Sequence, residues 1–378
     1  MRRSSILNSK TKEFLGYVAV TIVLLAMVVA AFEIIFLRLG ETWAYAKVIA
    51  RQQETGECFL PKFFNVPSAY KLQGAQAAHA QILALGTSRI MPLGQKYFQG
   101  KFYNAGVDAS SSGDLQGLRH ILDGLRGEQL PVTVVLAIDP WIFNPNYSLN
   151  RHGWRNQLFR RLDSFTLGKN VHDVYRLTGQ RLKSYDLLVK ESSPWGYYFW
   201  SPESLPGIGL NAKLFATGFK KDGSFQYPKD YKGFAVKDLK KWQAWLNKDD
   251  YRFAAAKELD SAVLGQFEQF LLFCRVNNIN VIGLLLPFRN DFFDALIQTE
   301  GQKDFLTSFR QKVPLLMKQH GFTCYDFTAP ESLGLTTEDF LDMYHLKPEA
   351  FQKVMMKVTV ERQEVLDQVF AMDQSGLR

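Results

Sequence analysis

The sequence predicts an α/β protein of the doubly wound kind, fastened to a membrane by its N-terminus. Short, nearly unbroken apolar runs rich in branched residues recur along the chain, as strands buried on both faces of a parallel sheet require. Segments with apolar residues at helical spacing lie between them. Ahead of both is an uncharged stretch long enough to cross a bilayer. With 378 residues, 47% of them hydrophobic, the chain has the material for a substantial core and is not a disordered sequence.

The membrane segment comes first. The 19 residues "FLGYVAVTIVLLAMVVAAF" from Phe14 to Phe32 carry no charge, and as a helix they span about 29 Å, one hydrocarbon core. A cleaved signal peptide has a shorter apolar region and a small-residue cleavage site. Here apolar character continues past Glu33 into "IIFLRLG", which predicts an uncleaved anchor over 14–37 behind a tail of 1–13. Arg2, Arg3, Lys10 and Lys12 precede the span, and Arg38, Lys47 and Arg51 follow it. The balance of these charges leans towards a cytoplasmic tail. The expectation is therefore a single-pass protein of the inner or plasma membrane, its bulk periplasmic or at the cell surface.

After a lead-in over 38–79, the runs "ILALG" (82–86), "VTVVLAI" (132–138) and "INVIGLLLP" (279–287) read as buried strands. "KFYNAG" (101–106) is a further short strand, and "FTCYDF" (322–327) a late one. Between the first and third strands, "SSGDLQGLRHILDGL" (111–125) opens on serines and an aspartate suited to capping. It places Leu115, Leu118, Ile121, Leu122 and Leu125 on one helical face. Leu259, Val263, Phe267, Phe270, Leu271 and Cys274 form a similar stripe before the strand at 279. "KPEAFQKVMMKVTVERQEVL" closes the fold as a helix with proline in its first turn. One domain over 80–365 follows, with a tail at 366–378.

Residues from about 145 to 250 break the rhythm and read as an insertion. They hold Trp154, Trp195, Trp200, Trp242 and Trp245 and an arginine-rich amphipathic stretch, "RHGWRNQLFRRLDSF". Such aromatic faces stack on sugars, rest at a membrane interface or pack over the main domain, and composition does not choose among these.

The net charge of +8 is dispersed, with no dense basic run of the kind that binds nucleic acid. Anionic lipid headgroups or an acidic glycan are the more natural partners, the alternative being a merely soluble basic surface. Cys58, Cys274 and Cys324 match neither a zinc spacing nor a disulfide framework, and the last two sit in apolar surroundings as small core residues. His79, His120, His152, His172 and His320 are scattered. No phosphate loop or dinucleotide fingerprint follows the first strand, so no metal or cofactor is expected.

The chemistry-bearing residues lie at strand ends. Gly86-Thr87-Ser88 terminates the first strand, and Arg89 follows, either orienting an anionic group or pairing at the surface. Near the C-terminus "FLDMYHLKPEAF" holds Asp342 and His345. At that spacing on a tight turn a carboxylate reaches Nδ1 of the imidazole and leaves Nε2 to take a proton from a serine. Both loops should leave the carboxyl edge of the sheet, where such folds bind ligands. In "FYNAGVDASSSGD", Asn104 and Gly106 follow the short strand, and a glycine there lets a backbone N–H approach a developing oxyanion; a plain turn is the competing reading.

Together these blocks resemble the SGNH/GDSL-like hydrolase superfamily: Gly86-Thr87-Ser88 as its first block, Gly106 as the oxyanion glycine, and Asp342 with His345 before the final helix. The resemblance covers roughly 80–145 and 255–365. It implies a flavodoxin-like three-layer fold, a serine nucleophile and ester chemistry at carbohydrate or lipid acyl groups. In layout the anchored form is similar to accessory proteins beside multi-span membrane O-acyltransferases, such as those of alginate O-acetylation and teichoic-acid D-alanylation.

The chain departs from the family at its third block, Gly-x-Asn-Asp, whose asparagine donates to the oxyanion. "VVLAIDPWIFN" instead places Asp139 there, and an ionised carboxylate only accepts hydrogen bonds. Either Asn104 or Asn144 supplies the donor, or the site relies on backbone N–H groups. The expected function is a serine hydrolase or acyltransferase acting on an envelope glycan or lipid ester. The alternatives are a non-catalytic accessory protein that keeps the fold, and a phosphoesterase or lipase-like enzyme using the same serine.

Overall fold

The computed structural model describes residues 9–63, 68–106, 115–125, 130–147, 206–228 and 252–360, with Gly179, Leu182, Lys183 and Asp186. The five tryptophans of the insertion, Ser110 to Ser112, His152, His172 and the 366–378 tail lie outside the described residues.

Each apolar run of the main domain forms a strand: Ile82–Leu85 (β1), Phe102–Asn104 (β2) and Thr133–Ala137 (β3). Gly218–Phe219 (β4) and Phe225–Gln226 (β5) make a small hairpin inside the insertion, and Asn280–Leu285 (β6) and Thr323–Asp326 (β7) complete the set. β1, β2, β3, β6 and β7 build one parallel sheet in the order β2-β1-β3-β6-β7, with Leu83 opposite Val134 and Val135 opposite Ile282. The chain moves outward from β1 to β2, then returns across β1 to β3. The strand order therefore reverses between β1 and β3, which is where open α/β sheets form their ligand crevice.

Among the described residues the helices include Ser9–Leu39 (α1), Tyr45–Thr55 (α2), Ser68–Ala78 (α3), Leu115–Gly124 (α4), Leu210–Phe215 (α5), Ser261–Val276 (α6), Asn290–Gln298 (α7), Gln302–Gln319 (α8) and Phe351–Val360 (α9). Period-two alternation divides the strands between two cores. Leu83, Leu85, Val134, Leu136, Val281 and Leu285 pack under α4, α6, α7 and α8. Ile82, Ala84, Val135, Ala137, Ile282 and Leu284 face the other way, against Phe351, Val354, Met355 and Val358 of α9. The result is three layers with a sheet dry on both sides, which explains why its strands lack polar alternation. At Gly283 a Cβ would lie 2.5 Å from Met317 Sδ, so α8 approaches the sheet more closely than a side chain there permits.

The segment 38–79, expected as a lead-in, carries α2 and α3 and shares a separate core with the insertion. Val48, Ile49, Phe59, Tyr70, Met91, Ile208 and Phe219 form it, and Phe59 bridges both Ile208 and Phe219. Met91, three residues after Ser88, belongs to this cluster, and its carbonyl accepts from Phe225 N at 2.8 Å. The insertion thus buttresses the turn that carries the candidate nucleophile.

Among the described residues one helix, Thr11–Leu39, is long and apolar enough to cross a membrane, and its most apolar stretch is almost wholly exposed. Its last turn is different: Phe36 and Leu39 are buried in the domain. The Glu41 carboxylate accepts backbone N–H from Lys62 (3.0 Å), Phe63 (3.1 Å) and Leu210 (2.7 Å), tying the helix exit to lead-in and insertion. Burial raises the pKa of Glu41, and the three N–H donors oppose that shift without cancelling it.

Candidate active site

β1 ends in an abrupt turn. Gly86 has φ +142°, and a Cβ there would sit 2.9 Å from both Cβ and O of Ala137 on the neighbouring strand. Only glycine leaves β1 this way without strain. The chain then forms a short 3₁₀ turn, Ser88–Ile90, which sets Ser88 at the carboxyl edge of the sheet.

From the other side comes the loop between β7 and α9. Leu341 N donates to His345 O at 2.7 Å, and Phe340 bridges Leu346, which closes a tight loop around residues 341–345. Asp342 Oδ1 accepts from the backbone N–H of Tyr344 (2.9 Å) and His345 (2.8 Å), turning the chain so that the side chains at 342 and 345 meet. Asp342 Oδ2 lies 2.6 Å from His345 Nδ1, and His345 Nε2 lies 2.7 Å from Ser88 Oγ. The two contacts form a continuous hydroxyl–imidazole–carboxylate relay between residues 257 positions apart. With Nδ1–H donating to the Asp342 carboxylate, Nε2 is free to accept the serine proton. Burial pushes the Asp342 pKa up, but the His345 charge and the hydrogen bonds from His345 and two backbone amides outweigh it. The carboxyl is held below its ordinary value, ionised as the relay requires.

The remaining candidate residues take structural places. Arg89 is neither at the surface nor open to a ligand: it is 1% exposed. Its Nη1 pairs with Asp139 Oδ1 at 2.8 Å, Nε donates to Tyr344 O at 2.9 Å, and Nη2 donates to Leu286 O and Pro287 O, both at 2.7 Å. Its guanidinium carbon lies 4.6 Å from the Phe288 ring centroid. Burial lowers the Arg89 pKa and the Asp139 charge counters it. Asp139 Oδ2 accepts from the Thr87 hydroxyl. Asp139 is thus occupied by Arg89 and Thr87 and does not stand where it would repel an oxyanion.

Asn104 and Asn144 are corrected as oxyanion donors. Asn104 Nδ2 donates to Ile90 O (2.8 Å) and Leu93 O (2.7 Å), and its Oδ1 accepts Gly106 N (2.9 Å). Asn144 Nδ2 donates to Ala254 O at 2.7 Å. Both amides fasten loops, because a fully buried side-chain amide must spend its hydrogens on nearby carbonyls. Gly106 also differs from expectation: its N–H is given to Asn104. It is nevertheless required, since a Cβ there would lie 2.4 Å from Ile90 Cγ2. Ser88 N makes no hydrogen bond to a described residue, so it is the backbone donor left at the nucleophile.

Sequence patterns alone do not single out Thr87, Tyr344 or Arg252. Thr87 joins the Ser88 turn to β3 through Asp139, and Tyr344 O joins the His345 loop to Arg89. Arg252 Nη1 donates to Tyr344 Oη at 2.9 Å. The signal for Thr87 is its position, one residue before the serine at a strand end. For Arg252 there is none, since its contact crosses 92 residues. Among the described residues no group of three or more His, Cys, Asp or Glu side chains is placed to hold a metal ion. Compared with known proteins, the chain matches no family model and no curated protein.

Proposed function

We propose that this chain is a membrane-anchored serine acyl-ester enzyme of the SGNH type, its domain outside the cytoplasm. It hydrolyses or transfers acyl groups on an envelope glycan or lipid, beside a multi-span membrane O-acyltransferase. The observation that carries the reading is the relay Asp342–His345–Ser88, with both links at 2.7 Å or less. Its position at the sheet's reversal point and the chain order Ser–Asp–His support it.

In this reading Ser88 Oγ attacks the ester carbonyl as its proton passes to His345 Nε2, and the tetrahedral intermediate collapses when His345 returns that proton to the departing alkoxide. The acyl group is then on Ser88. Water or an acceptor hydroxyl repeats the sequence: it loses its proton to His345, takes the acyl group, and Ser88 regains its hydroxyl hydrogen. Water as acceptor gives hydrolysis and a sugar hydroxyl gives transfer. Ser88 N donates to the oxyanion at the point of attack.

A second reading, a non-catalytic accessory protein, draws on one specific observation. Asp139 and Asn104, the positions nearest the family's side-chain donor, both have their polar atoms engaged elsewhere. A serine-directed fluorophosphonate probe separates the two. The enzyme reading expects stoichiometric labelling at Ser88 that is lost in His345→Ala. An unlabelled, folded wild-type protein would leave the accessory role.

A further inference from the structure

Where α1 enters the domain there is a cleft of about 850 Å³ whose walls are both charged and apolar. Its cations are Arg38, Lys47, Arg51 and Lys213, against the carboxylates Glu54 and Glu57. Arg51 is already matched, its Nε 2.8 Å from Glu57 Oε2, and Glu57 also accepts Gly207 N at 3.2 Å. Arg38 and Lys47 are exposed, and neither forms an ion pair with a described residue. Lys47 is held in place without being neutralised: its Nζ sits 3.9 Å from the centroid of Trp43. The Trp43 indole donates to Leu37 O at 2.7 Å, which moors the ring to the last turn of α1. Leu37, Ile34 and Ile208 supply the apolar part of the wall.

Depth identifies what such a cleft meets. Arg38 lies six residues beyond Phe32, the last of the uncharged run. It also directly follows the 14–37 span, which at helical rise is about 36 Å long, a hydrocarbon core plus most of one polar layer roughly 5–8 Å thick. A tryptophan at this level is in its preferred interfacial position. Two cations at headgroup depth beside an apolar wall complement an amphiphile with a phosphate at the same level and chains running down α1. A free phosphate would use the cations and leave the wall unused.

We infer that this cleft is a binding site for the headgroup of an anionic phospholipid, with Arg38 and Lys47 on the phosphate. It is separate from Ser88 and independent of the reaction assigned there. Bound lipid would fill the notch between membrane and domain and fix the height at which the domain stands.

The test uses the full chain in detergent, offered equimolar phosphatidylglycerol and phosphatidylcholine, with bound lipid read by native mass spectrometry. Phosphatidylglycerol should be retained in preference. Arg38→Gln with Lys47→Gln should reduce that preference on the order of ten-fold or more, with no change in thermal midpoint because both side chains are exposed. The pair Arg38→Lys with Lys47→Arg, which keeps the charge, should retain it. So should Lys101→Gln with Lys318→Gln, an equal charge loss at exposed sites elsewhere. Equal retention of the two lipids by the wild type overturns the site. So does equal loss in the control pair, and displacement of lipid by millimolar inorganic phosphate reassigns the cleft to a free anion.

Discussion

Arg89 and Asp139 form an ion pair that water does not reach, with 2.8 Å between Nη1 and Oδ1 and side-chain exposures of 1% and 0%. The pair sits directly behind the nucleophile, and Arg89 also grips the His345 loop through Tyr344 O. Removing one partner leaves the other charged and buried. Asp139→Ala and Arg89→Met should each cost about 3–5 kcal/mol of stability in denaturant titration. Replacing both with apolar residues should recover part of that loss. Recovery stays incomplete because the carbonyls of Leu286, Pro287 and Tyr344 lose their donor. A loss below about 1 kcal/mol in either single variant would mean the pair is not the fastening described.

For the relay, Ser88→Ala and His345→Ala should each abolish turnover of a chromogenic acyl ester, a loss on the order of 10⁴-fold or more, and combining them should add little. Asp342→Asn should cost less than either, since His345 still reaches Ser88. Additive losses would show that the two side chains do not act as one unit.

Acid stability should report on Asp342. Its pKa is lower in the folded protein than the ordinary carboxylate value of about 3.9. A depressed folded pKa adds stability that is fully present above the unfolded value and disappears as pH falls through the folded one. The thermal midpoint of the wild type should therefore exceed that of Asp342→Asn at neutral pH, and the gap should close below about pH 4. A gap that persists at pH 2 would assign the difference to packing.

Gly86→Ala should be more damaging than its size suggests. The backbone at φ +142° costs roughly 1–3 kcal/mol for any residue with a Cβ, and the added carbon meets Ala137 at 2.9 Å. Expected is a lower midpoint together with lost Ser88 labelling. Normal labelling would show that the turn relaxes without moving the serine.

The orientation of the domain rests on the charges flanking α1. A C-terminal reporter active only in the cytoplasm should be silent, and one active only outside should give signal. The opposite result would place Ser88 in the cytoplasm and remove envelope esters as substrates.

How much of this is written in the chain depends on distance. The long apolar helix α1, the five core strands and α9 are legible because hydrophobicity imposes its own period on consecutive residues: unbroken for a two-faced sheet, 3.6 for an amphipathic helix, uninterrupted for a helix long and apolar enough to span a bilayer. Asp342 and His345 are legible as a couple because three positions on a tight turn bring the groups within reach, and the 2.6 Å contact is local. The meeting of His345 with Ser88, across 257 residues, is only one option open to the sequence. Packing of β1 beside β3, β6 and β7 makes it a 2.7 Å contact. Arg89 and Asn104 show the reverse. Their side-chain types suggest ligand chemistry, but burial leaves them no water. Each has to spend its donors on carbonyls and a carboxylate contributed by other segments. Which polar groups stay open to a substrate is decided only when the surrounding backbone has taken its place, and that is a property of the tertiary structure.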